Sequence, residues 1–274
     1  IHIHSESLRG MKKVELYSII KYFLTPFFSI VLLFTLYDNN NIYLPILVYS
    51  ISIVITSIVG FLIWTNKSRL FVTESLYTSV NEVLKISFPL MISSSMLLLL
   101  QWIDILILGY FEPSNQIGIY TVAVKISMFG SIILFSINSI IAPKISEFFN
   151  QENFVELNKV IKASSKLMFF LTIPILILIL VFSEFILSLF GEQFILGSLC
   201  LNILIVGQLI NVLCGSVGYI LNMTEYQNVF KWIIIFAVIM NIVLNIALIP
   251  LYGIFGAAIS SMISLILWNM LSCM

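Results

Sequence analysis

Long apolar stretches separated by short polar connections are the dominant pattern along the chain. A helix that crosses the hydrocarbon core of a bilayer needs about 20 apolar residues, and the sequence has about eight such stretches. They cover residues 16–36, 42–64, 86–110, 119–142, 166–190, 197–221, 231–249 and 254–273. Each is too long and too uniformly apolar for a strand of a membrane barrel, which alternates over about ten residues. The pattern therefore predicts an all-α, polytopic integral membrane helix bundle.

Lysine and arginine occur in alternate connections between these stretches. Arg9, Lys12 and Lys13 precede the first span, whereas the YDNNN connection after it contains neither residue type. The alternation continues to the last connection, PLYGIFG, which again has none. Because basic residues concentrate in cytoplasmic loops, this pattern predicts an even number of spans with both termini in the cytoplasm.

Two connections on the predicted cytoplasmic side are longer than the others. Residues 67–85 and 144–165 mix apolar residues with charges of both signs. In the second connection, Phe148, Val155 and Val160 could share one helical face. We expect short amphipathic helices that lie along the membrane interface.

Composition supports a membrane protein and narrows its function. Hydrophobic residues make up 60% of the 274 positions and charged residues 9%, whereas soluble domains contain roughly 25% charged residues. The formal net charge is zero, so no basic excess favours nucleic acid as a partner. The three cysteines lack the spacing of a metal site, and we interpret His2 and His4 as a frayed N-terminal end. We expect no metal and no cofactor.

Charged side chains inside a bilayer are costly, so they face protein, water or a partner there. Lys21 lies near the cytoplasmic end of the first span and can extend to the membrane surface. Asp104 and Lys125 lie about six residues, or roughly 9 Å, from the outer ends of two consecutive antiparallel spans. We expect these two to meet or to share a cavity, either as a structural ion pair or in a water-filled transport path.

Uncharged polar residues recur at helical spacing in three spans. Hydrogen bonds between helices would explain any one stripe, but three stripes favour a shared polar cavity. With Asp104 and Lys125, the stripe residues are our candidates for a substrate path. They are Ser94 and Gln101 in the third span; Gln208, Asn211 and Tyr219, with Gly215 and Asn222, in the sixth; and Asn241 and Asn245 in the seventh.

Several motifs follow one another in order along the chain. They are LRGMKKV (8–14), Lys85 and Pro89 opening the third span, Asp104 and Gly109 closing it, Gly118-x-Tyr120, Lys125, APKIS (142–146), LFGEQF (189–194), GQLIN (207–211) and LNIALIPLYGIFGAAIS (244–260). This order resembles the oligosaccharide and polysaccharide flippases, the Wzx-like transporters of the multidrug/oligosaccharidyl-lipid/polysaccharide superfamily.

The resemblance implies a transporter with two six-helix lobes and about twelve to fourteen helices that alternates between inward and outward openings. When the motifs are aligned with those of the family, the eight spans look like helices five to twelve of the transporter. Residues 1–64 would be the last two helices of the N-terminal lobe, 65–85 a cytoplasmic amphipathic connector and 86–274 the C-terminal six-helix lobe. The rest of the N-terminal lobe is then an expected partner that this sequence does not contain.

The implied function is that of a flippase in the cytoplasmic membrane of a bacterium or archaeon. It would move a polyprenyl-pyrophosphate-linked oligosaccharide to the outer leaflet for cell-surface polysaccharide such as lipopolysaccharide O-antigen, and membrane lipid would surround it. Lys125 could attract the pyrophosphate and the polar stripes could bind sugar hydroxyls.

Three alternatives remain open. One is a non-transporting structural subunit, which would leave the polar stripes without a purpose. A drug/cation antiporter of the same superfamily would use Asp104 as a proton or sodium site. A membrane-embedded glycan transferase or polymerase usually needs long extramembrane loops with catalytic acidic or histidine residues, whereas the outer loops here are short. We therefore expect a transporter and not an enzyme.

Overall fold

The computed structural model describes residues 2–11, 13–36, 43–68 and 79–274, and every regular element in these ranges is a helix. Eight of the helical segments are long and apolar enough to cross a membrane. The predicted multi-pass helical bundle is thereby confirmed. The chain divides into two compact units, Ile1–Thr78 and Ser79–Met274.

Unit 1 contains two of the eight candidate spans. Its elements are α1 (His2–Gly10), α2 (Val14–Ser18), a π-helical turn (Ile19–Phe23), α3 (Leu24–Thr35) and α4 (Leu44–Ser68). The π-helical turn ends three residues before Pro26, whose ring would clash with the carbonyl of Tyr22, within that turn, in a regular α-helix. A wider turn accommodates the proline, so the first predicted span runs on through α2 and α3.

Helix α1 packs against α4. The His4 ring centroid lies 5.4 Å from those of both Phe61 and Trp64. Trp64 Nε1 also donates a hydrogen bond to Ser7 Oγ at 2.9 Å. The interpretation of His2 and His4 as a frayed end is therefore wrong, because α1 has a partner surface on α4.

Lys21 is held within unit 1. Its ammonium lies 2.6 Å from a carboxylate oxygen of Glu6 in α1 and 2.9 Å from the Tyr17 hydroxyl. These contacts give the ammonium protein partners in place of the membrane surface to which it could extend. The carboxylate supplied by α1 compensates the charge locally.

Unit 2 contains the other six candidate spans. Its elements are α5 (Val80–Phe111), α6 (Ser114–Ser127), α7 (Phe129–Asn150), α8 (Phe154–Val181), α9 (Ser183–Ser188), a 3-10 turn (Glu192–Gly197), α10 (Ser198–Cys214), α11 (Val217–Met223), α12 (Gln227–Tyr252) and α13 (Ile254–Cys273). Helix α10 packs against α6, α8 and α13, while α12 packs against α5 and α13.

Three predicted spans are interrupted. The span predicted at 119–142 is divided at Met128, between α6 and α7, the span at 166–190 at Phe182, between α8 and α9, and the span at 197–221 at Gly215. Gly215 has φ 67°, a backbone conformation that favours glycine. A Cβ atom there would also lie 2.9 Å from Ser165 Oγ. The predicted stripe through Gly215 to Asn222 is therefore not one continuous helical face.

One of the two long connections predicted on the cytoplasmic side, residues 144–165, also differs from expectation. Helix α7 continues to Asn150, and α8 begins at Phe154 after a short turn in which Asn153 Oδ1 accepts a hydrogen bond from Glu156 N at 3.2 Å. Residues 144–165 are thus the ends of two long helices, and the prediction of separate interfacial helices there is wrong.

In the connector predicted at 65–85, α4 extends to Ser68 and α5 begins at Val80. Residues 69–78 lie outside the described residues. The boundary between the two units falls between Thr78 and Ser79, inside the connector predicted at 65–85. The assignment of the units to two lobes stays a prediction.

Candidate functional site

Asp104 lies at the centre of a hydrogen-bond network inside unit 2, and only 4% of its surface is exposed. Its carboxylate accepts hydrogen bonds from the Tyr120 hydroxyl at 2.9 Å, from Asn245 Nδ2 at 2.6 Å and from Ser261 Oγ. These side chains come from α5, α6, α12 and α13. We call the four residues the carboxylate node. It ties four helices together around one carboxyl group.

Asn241 extends this network by one helical turn. Its Oδ1 accepts a second hydrogen bond from Asn245 Nδ2, at 3.1 Å. The remaining atoms of the pair, Asn241 Nδ2 and Asn245 Oδ1, are buried without a partner among the described residues. Buried unpaired polar atoms cost free energy, so an additional donor or acceptor such as an ion, a proton or a water would be stabilised there.

A cavity of about 380 Å³ opens beside the carboxylate node. Its walls come from α5, α6, α7, α10, α12 and α13, together with the junction residue Met128. The lining residues are Leu97, Leu100, Gln101, Asp104, Val124, Ser127, Met128, Ser131, Ile132, Phe135, Leu204, Gln208, Asn211, Asn241, Ser261, Met262, Ser264, Leu265 and Trp268. A concave and mostly apolar pocket with a few convergent polar groups is the usual form of a small-molecule site.

A second set of polar groups lies on the α7 and α10 side of the cavity. Gln208 Oε1 accepts hydrogen bonds from Ser131 Oγ at 2.8 Å and from Asn211 Nδ2 at 3.2 Å. We call these three residues the amide wall. Gln101 also lines the cavity from α5, is exposed, and has no hydrogen-bond partner among the residues that the structure describes.

The structure brings most of the predicted path residues together. Five of them line the cavity: Gln101, Asp104, Gln208, Asn211 and Asn241. Asn245 binds Asp104 and is fully buried. Ser94 and Tyr219 do not line the cavity.

The predicted meeting of Asp104 and Lys125 is wrong. Lys125 is exposed, does not line the cavity and forms no ion pair among the described residues. The two residues have similar depth by sequence, but depth does not fix the direction in which a helix points its side chains. Tyr120 and Val124 lie on the inward face of α6, and Lys125, one position later, is rotated by about 100° from Val124.

Sequence reasoning missed several residues of the site. Tyr120 was noted only as part of a turn, and Ser131, Ser261 and Trp268 were not identified. A usable signal existed in α13, where Ser261, Ser264 and Trp268 follow at i, i+3 and i+7, the spacing of one helical face. Among the described residues, no group of three or more His, Cys, Asp or Glu could hold a metal ion.

A further hydrogen bond holds the break between α10 and α11 against α7. Ser216 Oγ donates to Asn138 Oδ1 of α7 at 2.6 Å, and both residues are buried. Met168 Sδ of α8 lies 3.7 Å from the same hydroxyl. These contacts fix the Gly215 break against two neighbouring helices, so the amide wall on α10 has a defined position.

Comparison with known proteins gives two family matches. Residues 89–247 match the sequence profile of the MatE family, and residues 8–149 match the profile described as polysaccharide biosynthesis protein. Each match covers more than half of the chain.

Two curated relatives come from Haloferax volcanii. The probable low-salt glycan biosynthesis flippase Agl15 is 27% identical over 164 residues, which cover 60% of this chain and 35% of the relative. The probable flippase AglR is 28% identical over 175 residues, which cover 62% of this chain and 37% of the relative. The matched part therefore spans only about a third of the length of either relative.

Solved structures are also similar to this chain. The MATE transporter VcmN of Vibrio cholerae superposes with a TM-score of 0.81 at 14% identity, covering 99% of this chain and 64% of that one. At this level of identity, the likeness shows a common helical membrane fold.

Proposed function

This chain belongs to the polysaccharide biosynthesis protein and MatE families, and on that premise we propose that it is part of a flippase for lipid-linked oligosaccharides. The transporter moves a polyprenyl-pyrophosphate-linked oligosaccharide across the cytoplasmic membrane for cell-surface polysaccharide biosynthesis. The resemblance identified from the sequence motifs is confirmed by both family profiles.

The observation that carries the proposal is a cavity among membrane-spanning helices whose open polar groups are amides. Gln101 and the amide wall offer hydrogen bonds without net charge, as the hydroxyl-rich head of a glycan requires. Polar groups in a membrane-spanning bundle usually mark a transport path. The names of the two Haloferax relatives, both probable flippases, support the same substrate class.

Lys125 has a separate role in this proposal. Its ammonium is exposed on α6, outside the cavity, where it attracts the pyrophosphate of the substrate. The polyprenyl tail stays in the bilayer. Rocking of two lobes about a site near the membrane midplane exposes the glycan first to the cytoplasm and then to the outside. Unit 2 would form one of these lobes, and both chain termini would be cytoplasmic.

Genetic complementation tests the proposal in the full-length transporter. The wild-type gene should restore surface glycan to a strain that lacks its flippase. Lys125→Ala should insert at normal abundance and lose export, Lys125→Arg should retain part of it, and Lys162→Ala, an exposed lysine of α8, should behave as wild type. Normal export by Lys125→Ala at wild-type abundance would remove Lys125 from the mechanism. Failure of the wild-type gene would contradict the flippase assignment.

A drug/cation antiporter is the second candidate, and the carboxylate node favours it. Asp104 is a buried carboxylate with no basic partner among the described residues, and two atoms of the adjacent asparagine pair are unpaired. A proton or sodium ion would complete this arrangement. Asp104→Asn discriminates the two functions: under this candidate it abolishes ion-coupled efflux of a cationic drug, measured in inverted vesicles.

A further inference from the structure

The amide wall has a fixed hydrogen-bonding orientation. Gln208 Oε1 accepts two hydrogen bonds, from Ser131 Oγ and Asn211 Nδ2, and an amide oxygen has two lone pairs. The Gln208 amide is therefore held with its Nε2 group left to donate, while Asn211 Oδ1 is left to accept. No described residue pairs with either atom.

Apolar and aromatic surface accompanies these polar atoms. Trp268 of α13 lines the cavity, and its ring is held edge-to-face against Phe230 with 6.0 Å between the ring centroids. The cavity also has a free amide on Gln101 of α5. A pyranose ring matches this combination, because its hydroxyls both donate and accept and its C–H faces pack against aromatic rings.

The electrostatics of the cavity disfavour an anion. Asp104 is the single ionisable side chain among the described lining residues, and its carboxylate form would repel a phosphate. Lys125 does not line the cavity, so no lysine or arginine among the described lining residues compensates that charge. The carboxylate accepts three hydrogen bonds from protein donors, whereas Gln101 and the amide wall present open polar atoms to the cavity.

We infer that the cavity of unit 2 receives a neutral sugar ring of the lipid-linked substrate, and that Gln208, Asn211 and Gln101 determine its fit. This inference rests on the proposed flippase function and deepens it: the sugar enters the cavity while the pyrophosphate stays outside. The volume of about 380 Å³ lies in the range of small-molecule pockets, roughly 300–1,000 Å³.

Protection of an engineered cysteine tests the inference in the purified full-length transporter. Met128 lines the cavity and is 36% exposed, so Met128→Cys on a cysteine-free background reports occupancy through its reaction rate with a maleimide. The probes are the methyl glycosides of glucose, galactose and N-acetylglucosamine, and inorganic pyrophosphate. We expect at least one glycoside to slow labelling and pyrophosphate to have no effect.

Three further substitutions test which residues determine the protection by glycoside. Gln208→Glu keeps an oxygen that can accept from Ser131 and Asn211 but removes the donor, and Gln101→Leu removes an amide that forms no hydrogen bond with the described residues. Each should raise the half-protecting glycoside concentration by up to about tenfold, the effect of one lost hydrogen bond. Gln151→Glu makes the same change in the exposed turn after α7 and should have no effect. Gln101→Leu keeps the test valid if Gln208→Glu misfolds.

The outcomes separate this inference from the proposed function. Protection by pyrophosphate, or no protection by any glycoside, overturns the sugar site even if the wild-type transporter exports glycan normally. Protection that is equal in Gln151→Glu, Gln208→Glu and Gln101→Leu overturns the roles of the two glutamines. Failure of the wild-type gene to restore surface glycan contradicts the flippase function whatever the labelling shows.

Discussion

The carboxylate node and the amide wall line the same cavity but use their polar groups in opposite ways. At the node, three donors from three helices converge on Asp104. At the wall, Gln208 Oε1 accepts hydrogen bonds from Ser131 and Asn211, while Gln208 Nε2 is left to donate and Asn211 Oδ1 is left to accept. The difference indicates that the node holds the helices together, whereas the wall is available to a ligand.

The node should show the largest effect on stability. Asp104→Leu leaves the Tyr120 hydroxyl unpaired in a buried site and removes one hydrogen bond each from Asn245 and Ser261. An unpaired buried group costs about 1–3 kcal/mol and a lost hydrogen bond about 0.5–1.5 kcal/mol, so we expect a loss of at least about 2 kcal/mol. Thermal unfolding of the full-length transporter measures it. Asp104→Asn, which keeps one carbonyl acceptor, should lose less. Wild-type stability of Asp104→Leu would contradict a structural role for the node.

Removal of one donor should cost less than removal of the acceptor. Tyr120→Phe deletes a hydrogen bond to a carboxylate, and such bonds contribute about 1.5–3 kcal/mol. Because Tyr120 and Asp104 are in direct contact, the double variant with Asp104→Asn should be less destabilised than the sum of the two single variants. Strict additivity would show that the two side chains do not interact in the folded transporter.

Substitution in the amide wall should change stability little and reduce glycan export strongly. Gln208→Leu leaves Ser131 and Asn211 beside the cavity, where water can replace the lost hydrogen bonds at little cost. We expect a stability change below about 1 kcal/mol and a clear loss of glycan export at normal abundance. A large destabilisation with normal export would mean that the wall, like the node, is structural.

The smallest effect is expected at a predicted path residue outside both regions. Ser94 is exposed and does not line the cavity. Ser94→Ala should change stability by no more than about 0.5 kcal/mol, as most surface substitutions do, and should leave export unchanged. A clear export defect would extend the substrate path beyond the cavity along α5.

Hydropathy was sufficient to predict the membrane spans, because a bilayer imposes length and apolarity on each helix separately. Helical spacing also grouped Gln208 with Asn211 and Asn241 with Asn245 correctly. The Asp104 and Lys125 pairing failed because sequence depth carries no information on rotation about a helix axis. Tyr120 occupies the position beside Asp104 that we expected Lys125 to take.

The sequence also did not predict the breaks within the membrane spans. Met128 and Gly215 interrupt their predicted spans, yet the apolar stretches continue through both positions. Hydropathy does not detect such breaks, because they depend on local backbone conformation and on contacts from neighbouring helices. At Gly215 those contacts are the close approach of Ser165 and the hydrogen bond from Ser216 to Asn138.

Reconstitution provides the most direct test of the flippase assignment. The purified full-length transporter is placed in vesicles that contain a fluorescent polyprenyl-pyrophosphate oligosaccharide, and the fraction accessible to an impermeant quencher is followed over time. The flippase assignment predicts that the wild-type transporter equilibrates this lipid between leaflets, that Lys125→Ala does not, and that Lys162→Ala does. Vesicles that transport a cationic drug while the lipid-linked oligosaccharide stays in its original leaflet would contradict the assignment.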